Sequence, residues 1–331
     1  MRILPELYDP PFRVTRASHV ELRVRDLAAA RAFYVDCLGF VVSDETSEVL
    51  YLRGLEEIAH HSLVLRRGDA SVAQRVGFRC LTEEDLDRAK FYFDQEGLPT
   101  AWVEVAHQGR GFQALDPSGV PLEFCARMQT RPRLIGDFAA YRGGCPLRLD
   151  HFQLFTPDVA RAYAFYTGMG FRLSDYIVED GTLIATFMQR KGNPHDVVFL
   201  RAPGPQLHHI AYTVPGNEVL LGIGDRLAQG GLFHAVEWGP NRHWGPGWAR
   251  SLYLRDPEGH RIEFFLNHYQ CIDIDETPVG WTLAELKARP GWGAPPPRSW
   301  LLEAKSFVDM DLKEPDEMLL GGRMPFELVA E

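Results

Sequence analysis

The chain has 331 residues, 45% apolar, 24% charged and 11% aromatic, a composition that suits a globular protein of about two domains and excludes collagen, coiled coil and disorder. Lys and Arg total 35 against 45 Asp and Glu, a net charge of −10, so neither nucleic acid nor an anionic membrane surface is an expected partner. No apolar run approaches the ~20 residues that span a bilayer, and the opening MRILPELYDPPF lacks the apolar stretch of a signal peptide.

In chain order, residues 1–15 read as an extension. HVELRVRDLAAARAFYVDCLGF, from His19, reads as a short alternating strand followed by a helix over 26–37 that Asp26 opens and Gly-Phe closes. Strand-like EVLYLRG and HSLVLRR come next, then a helix over 82–95 with Thr82 as its N-cap. LDPSGVPLEF, from Leu115, begins with Asp-Pro-x-Gly, a good type I turn. Residues 129–147 read as a linker. HFQLFTPDVARAYAFYTGMGF then restarts the pattern 132 residues on, setting His151, Asp158, Phe165 and Tyr166 against His19, Asp26, Phe33 and Tyr34. It predicts a helix over 158–168, strands LIATFMQ and VVFLRA, a helix over 217–229 and strand SLYLRD. RDPEGHRIEF matches LDPSGVPLEF at an offset of 140, so Glu263 meets Glu123.

Such self-similarity predicts an α+β fold of four βαβββ modules, near 16–70, 71–128, 148–203 and 205–268. Paired modules make two half-open barrels, over 16–128 and 148–269. Residues 270–331, rich in Pro and Trp, read as an irregular tail covering the site. Cys37, Cys80, Cys125, Cys145 and Cys271 are odd in number and never in CxxC, which reads as reduced thiols of a cytoplasmic protein.

A barrel lined by strand residues is a frame for a metal. His151 opens the first strand of the third module. With LHHIAYTV set in register with LDHFQLFT, His209 takes the same place one module later. Successive strand side chains point to opposite faces, so only one of His208 and His209 faces the barrel, and the repeat selects His209. Glu263 lies on the last strand, with Phe265 on its face and Ile262 and Phe264 opposite. Two histidines and a carboxylate make a facial triad suited to Fe(II), and Mn(II) accepts the same set. The N-terminal half keeps His19 and Glu123, but Arg75 stands where His209 would. A guanidinium stays charged, so that barrel is expected to be metal-free, with Arg75 paired to Glu123 and one metal per chain.

The modules, HF at His151, the run RKGNPHD…LHHIAY and RDPEGHRIEFF, together with YLRGLEEIAHHSLVLR and WGPNRHWG, resemble the type I extradiol ring-cleaving dioxygenases of the vicinal oxygen chelate superfamily. The likeness is greatest to the branch that opens homoprotocatechuate (3,4-dihydroxyphenylacetate), and runs from about residue 16 to about 310. The resemblance implies a glyoxalase-like fold and a cytoplasmic homotetramer of aromatic catabolism that inserts both atoms of O2 into a catecholic substrate, 3,4-dihydroxyphenylacetate-like or a related substituted catechol. It implies His151, His209 and Glu263 as metal ligands, His195 as the acid–base residue, and Tyr253 and His243 as partners of the substrate oxygens. Four positions that would contact substrate differ from, or match, that branch: Gln153 replaces Asn, Phe187 replaces Trp, Trp238 replaces the Arg that binds the substrate carboxylate, and Arg289, with Arg298 nearby, matches a tail arginine. Losing a bidentate arginine removes ~1.5–3 kcal/mol of charged hydrogen bonding, which predicts a less acidic catechol in a slot lined by Trp238, Phe187 and Trp244. Rival readings are a 4-hydroxyphenylpyruvate-type dioxygenase, a glyoxalase-like isomerase and a non-catalytic ligand-binding barrel.

Overall fold

The computed structural model describes residues 3–308 apart from Trp244, Asn267 and Pro290. Alternating apolar residues form β1 (Val14–Val24). The Asp26 side chain accepts from the Ala29 amide and starts α1 (Leu27–Arg31). The helix expected over 26–37 is α-helical only there. It widens into a π-helical stretch, Ala32–Cys37, in which the successive aromatics Phe33 and Tyr34 are both buried, a packing that the wider turn accommodates. β2 (Val41–Glu45), β3 (Val49–Arg53) and β4 (Leu63–Arg67) complete the first module.

The second module runs β5 (Ala73–Cys80), α2 (Glu83–Gln95), β6 (Thr100–Val105), β7 (Gly109–Leu115) and β8 (Pro121–Cys125). Thr82 caps α2 by accepting from the Asp85 amide. The third is β9 (Arg148–Thr156), α3 (Val159–Gly168), β10 (Arg172–Glu179), β11 (Thr182–Gln189) and β12 (Val197–Arg201). The fourth is β13 (Gln206–Thr213), α4 (Asn217–Gln229), β14 (Val236–Arg242), β15 (Arg250–Arg255) and β16 (Arg261–Leu266). The chain is thus βαβββ four times, as the repeat predicts. β17 (Val279–Trp281), α5 (Leu283–Ala288), α6 (Arg298–Leu302) and β18 (Lys305–Ser306) follow.

Modules pair through their first strands. β1 runs antiparallel to β5 and parallel to β4, giving the order β2-β3-β4-β1-β5-β8-β7-β6. β9 runs antiparallel to β13 and parallel to β12, giving β14-β15-β16-β13-β9-β12-β11-β10, with β17 added beside β10. The two halves meet through aromatic packing: Phe78 of β5 lies 5.4 Å from Phe152 of β9, and Phe93 of α2 lies 5.2 Å from Phe165 of α3, between ring centroids.

Two reciprocal polar contacts cross that interface. Tyr34 donates to Asp256 at 3.0 Å, and Tyr166 donates to Asp116 at 3.3 Å. Each Asp belongs to the Asp-Pro-x-Gly turn of the other half and also accepts from that turn's own amides, Ser118 and Val120 for Asp116, Glu258 and His260 for Asp256. All four side chains are buried, so each half completes a polar group of the other. All five cysteines are unpaired. Among the described residues no helix is long and apolar enough to cross a membrane.

Candidate metal centre

β9 carries His151 and Gln153 two apart, on one face. β13 sets Ala211 opposite His151 and His209 opposite Gln153. β16 sets Glu263 beside Ala211. His151, Ala211 and Glu263 therefore form a row across three strands, and the single methyl of Ala211 leaves the space into which its two neighbours reach. His151 Nε2 lies 3.4 Å from Glu263 Oε2, His209 Nε2 lies 3.2 Å from the same oxygen, and the two Nε2 atoms are 3.4 Å apart. Ligands held at ~2.2 Å in mutually cis positions lie about 3.1 Å apart, so the three donors already have the spacing of one face of an octahedron.

Proton bookkeeping fixes which nitrogens are free. His151 Nδ1 lies 2.9 Å from the Asp150 carboxylate and must donate to it, which leaves Nε2 a lone pair. His208 Nε2 lies 2.7 Å from the Trp300 carbonyl and must donate there, so its Nδ1 is an acceptor. His209 Nδ1, 2.7 Å from that Nδ1, is then the donor, and His209 Nε2 is free as well. Three buried acceptors converge with no donor among them, an arrangement that needs a cation. The residues present fit a divalent metal.

The electrostatics show the same demand for positive charge beside Glu263. Burial alone would raise the Glu263 carboxyl, but the adjoining imidazoles of His151 and His209 hold it well below 4.5. Burial lowers His209 to about 4 despite Glu263. Burial would also lower His151, yet the carboxylates of Asp150 and Glu263 outweigh it and raise that imidazole.

His195 sits on the β11–β12 loop. Asp196 anchors that loop by accepting from the Ala17 and Arg190 amides, at 2.8 and 2.7 Å, and from Lys191. Asn193 ties it down further, donating to the His195 carbonyl and to Asp150. The His195 ring then lies 4.2 Å from that of His151, and burial followed by the neighbouring His151 holds it well below 6.5, hence neutral. Tyr253 lies opposite Glu263 on β15, its ring 5.4 Å from His209. Burial and Glu263 keep its hydroxyl protonated. His243, Gln153 and Phe187 line the same cavity as the triad, His195 and Tyr253.

Two expected pocket residues lie elsewhere. Trp238 pairs with Tyr253 across β14 and β15 and stacks on it at 5.3 Å and 15°, so Tyr253 stands between Trp238 and the metal ligands. Arg289, at the end of α5, places its guanidinium 5.9 Å from the Trp281 ring and does not line the cavity. Trp244 lies outside the described residues.

Sequence reasoning did not single out Asp150, His208 or Asn193, which orient the ligands and the His195 loop, nor Trp300 of the tail, which lines the cavity. It also missed His268. That ring stacks on Phe265 at 4.2 Å, lies 4.7 Å from His195, and is lowered to about 4 by burial. At the offset of 140 its counterpart is Met128, so the repeat offers no signal for it.

The N-terminal barrel shows what the same scaffold does without a metal ligand set. His19 Nε2 lies 3.0 Å from Glu123 Oε1, and Arg75 donates to Glu123 Oε2 at 3.0 Å, the pairing expected from the sequence. Gln108 and Gln113 donate to the same carboxylate at 3.0 and 2.9 Å. Burial opposes ionisation, yet His19, Arg75 and Gln108 hold Glu123 down at about 2.

Residues 16–124 and 148–264 match the family model described as the glyoxalase/bleomycin resistance protein/dioxygenase superfamily. The chain is 26% identical over 326 residues to a metapyrocatechase of Geobacillus stearothermophilus, covering 93% of this chain and 98% of that one. It is 26% identical over 302 residues to a manganese-dependent 2,3-dihydroxybiphenyl 1,2-dioxygenase of Geobacillus genomosp. 3, covering 85% and 94%. Among solved structures it is similar to the anaerobic complex of homoprotocatechuate 2,3-dioxygenase from Brevibacterium fuscum with 3,4-dihydroxyphenylacetate, at 35% identity and a TM-score of 0.89, covering 95% of this chain and 99% of that one.

Proposed function

Because the chain belongs to the glyoxalase/bleomycin resistance protein/dioxygenase superfamily and is a metal-dependent type I extradiol dioxygenase that opens catechol rings, we propose that its preferred substrate is a catechol whose ring substituent carries no charge. One observation carries this reading. Beyond the triad and its polar neighbours, the cavity is walled by Ile177, Ala185, Phe187, Val198, Leu200, Pro246 and Trp300, with no Lys or Arg among its described lining residues. A substituent carboxylate in that wall would lose its hydration without a charged partner, a cost of at least ~1.5–3 kcal/mol, or roughly 10- to 100-fold in kcat/KM.

His151, His209 and Glu263 would hold Fe(II) or Mn(II), which when bound supplies Lewis acidity toward the catechol oxygens and electron transfer to O2. The chain's own residues do the rest. His195, held neutral, accepts a proton from a catechol hydroxyl and returns it to a product oxygen. The protonated Tyr253 hydroxyl donates to one ring oxygen, and His243 donates to the other side of the diol. Gln153 offers an amide beside His209, and Phe187 packs against the ring edge. Both atoms of one O2 enter the product as the bond beside the diol opens, so no further reductant is consumed.

The test compares oxygen uptake and yellow ring-opened product for catechol, 4-methylcatechol and 3,4-dihydroxyphenylacetate, using anaerobically metal-loaded protein. Uncharged catechols are expected to lead by tenfold or more in kcat/KM. Equal or better turnover of the arylacetate would overturn the substrate assignment while leaving ring cleavage intact.

A further inference from the structure

The tail meets the metal-bearing half at the strand that carries His208 and His209. β18 pairs antiparallel with the start of β13, Lys305 against Leu207 and Ser306 against Gln206, immediately before the two histidines. Here β13 also slips register against β9, between Leu207 and His209. Just upstream in the chain, the α6 turn presents three main-chain carbonyls to this strand and to β16. Arg261 of β16 donates to the carbonyls of Ser299 and Glu303 at 3.1 and 2.9 Å, and to that of His208 at 3.1 Å. His208 Nε2 takes the carbonyl that follows Ser299, that of Trp300, at 2.7 Å.

Arg261 is itself fixed. Its side chain is fully buried, and Glu237 accepts from it in a fork, from Nε at 2.6 Å and from Nη2 at 3.0 Å. A planar guanidinium offers its donors at set angles, so one held in this way is a rigid anchor for the carbonyls it reaches. Trp300 then has two roles: its carbonyl fixes the His208 ring, and its side chain lines the substrate cavity. The contacts form a chain from Arg261 through α6 and His208 to His209 Nδ1, 2.7 Å from His208 Nδ1. Hydrogen bonds in such a chain polarise one another. A cation drawing on His209 Nε2 makes His209 Nδ1 a better donor to His208, and His208 Nε2 a better donor to Trp300.

We propose that docking of the tail and loading of the metal are thermodynamically coupled, and that Arg261 is the positioning residue that couples them, acting on His209 through α6 and His208. With α6 in place the His208 tautomer is set and His209 turns a lone pair on Nε2 to the centre. With α6 lifted, His208 Nε2 meets water, which donates as readily as it accepts, and nothing sets the tautomers of the pair. Linkage is reciprocal: a docked tail that favours the ion is favoured by the ion to the same factor. The inference rests on His151, His209 and Glu263 as the ligand set and not on the choice of catechol, so a preference for a charged substrate leaves it standing.

The test reads both sides of the coupling in the full chain, with Mn2+ as the probe ion. Removing Mn2+ is expected to speed amide hydrogen exchange over residues 298–306 by about tenfold or more, while β7 and β8 of the other half exchange as before. Arg261→Lys keeps a cation opposite Glu237 but reaches fewer carbonyls. It is expected to loosen the same segment and to weaken Mn2+ by about tenfold in competition against a chelator, the lower end for groups that orient a ligand. His208→Asn keeps an acceptor for His209 Nδ1 but stops short of Trp300. In that background Arg261→Lys is expected to loosen the tail with no further loss of Mn2+ affinity. Tail exchange that ignores Mn2+ would overturn the proposal, and in wild type it decides the matter even if the variants do not fold. So would an Arg261→Lys protein with a loosened tail and unchanged affinity, or an equal loss with and without His208. Wild type that binds no Mn2+ at all would instead remove the metal centre, and this inference with it.

Discussion

Replacing Asp150 tests the account of how the metal centre is held. Asp150 touches no metal, yet its carboxylate accepts the His151 Nδ1 proton at 2.9 Å and is itself held by Asn193 at 3.0 Å. Asp150→Asn keeps an acceptor at that point, so the tautomer of His151 survives and only the charge is lost. A charged hydrogen bond contributes ~1.5–3 kcal/mol and a neutral one ~0.5–1.5, a difference of about 1–1.5 kcal/mol, or roughly tenfold in metal affinity. Asp150→Ala removes the acceptor as well and lets the proton move to Nε2. It is expected to weaken binding by about 100-fold, the upper end for groups that orient a ligand. The measurement is anaerobic competition against a chelator of known affinity, with kcat taken separately at saturating metal. Affinities within twofold of wild type for Asn, or no further loss for Ala, would refute the proton bookkeeping that leaves His151 Nε2 free.

Other expectations follow from the same geometry. His195→Phe is expected to keep metal and catechol binding while turnover falls by about 10²–10⁴; isothermal titration beside oxygen uptake separates the two effects. Glu123 is held at about 2 against an ordinary 4.5, a depressed acid whose stabilisation is present above pH 4.5 and is lost as pH falls toward 2, about 3 kcal/mol in all. Glu123→Gln is therefore expected to unfold at lower urea at pH 7, with a gap to wild type that narrows on acidification; a constant gap would argue against it. Tyr34→Phe leaves the buried Asp256 carboxylate one donor short and is expected to cost ~1–3 kcal/mol, read from thermal midpoints, with activity retained in the folded protein.

The modules were readable because each rests on local signals: Asp26, Thr82 and Asp158 as caps, period-two alternation in strands, and Asp-Pro-x-Gly turns. The metal ligands were readable because strand phase and repeat register select the same three side chains. What failed is what those signals cannot carry. The π-helical widening over Ala32–Cys37 answers to the burial of two adjacent rings, not to a local breaker. Trp238 occupies the right row of the sheet, but a row position does not say that Tyr253 will stand in between. Arg289 belongs to a segment whose path is set by packing against Trp281, outside any repeat. Asp150 carries no sequence signal, since neighbours on a regular strand point apart; it falls at a register shift between β9 and β13, where its side chain meets that of His151. His208 and Trp300 act together through a contact spanning 92 residues of chain.

The paired tyrosines and aspartates at the centre of the molecule carry an evolutionary consequence. Tyr34 finds its acceptor in the far half and Tyr166 finds the mirror-image one, so either half produced alone would expose two orphaned polar groups on an aromatic face. Two polypeptides severed within residues 129–147 should therefore be insoluble singly and recover activity when co-expressed. An ancestor of half this length could have satisfied the same contacts only as a symmetric dimer, and the present chain reads as that dimer after fusion, with one copy free to trade its metal for an arginine.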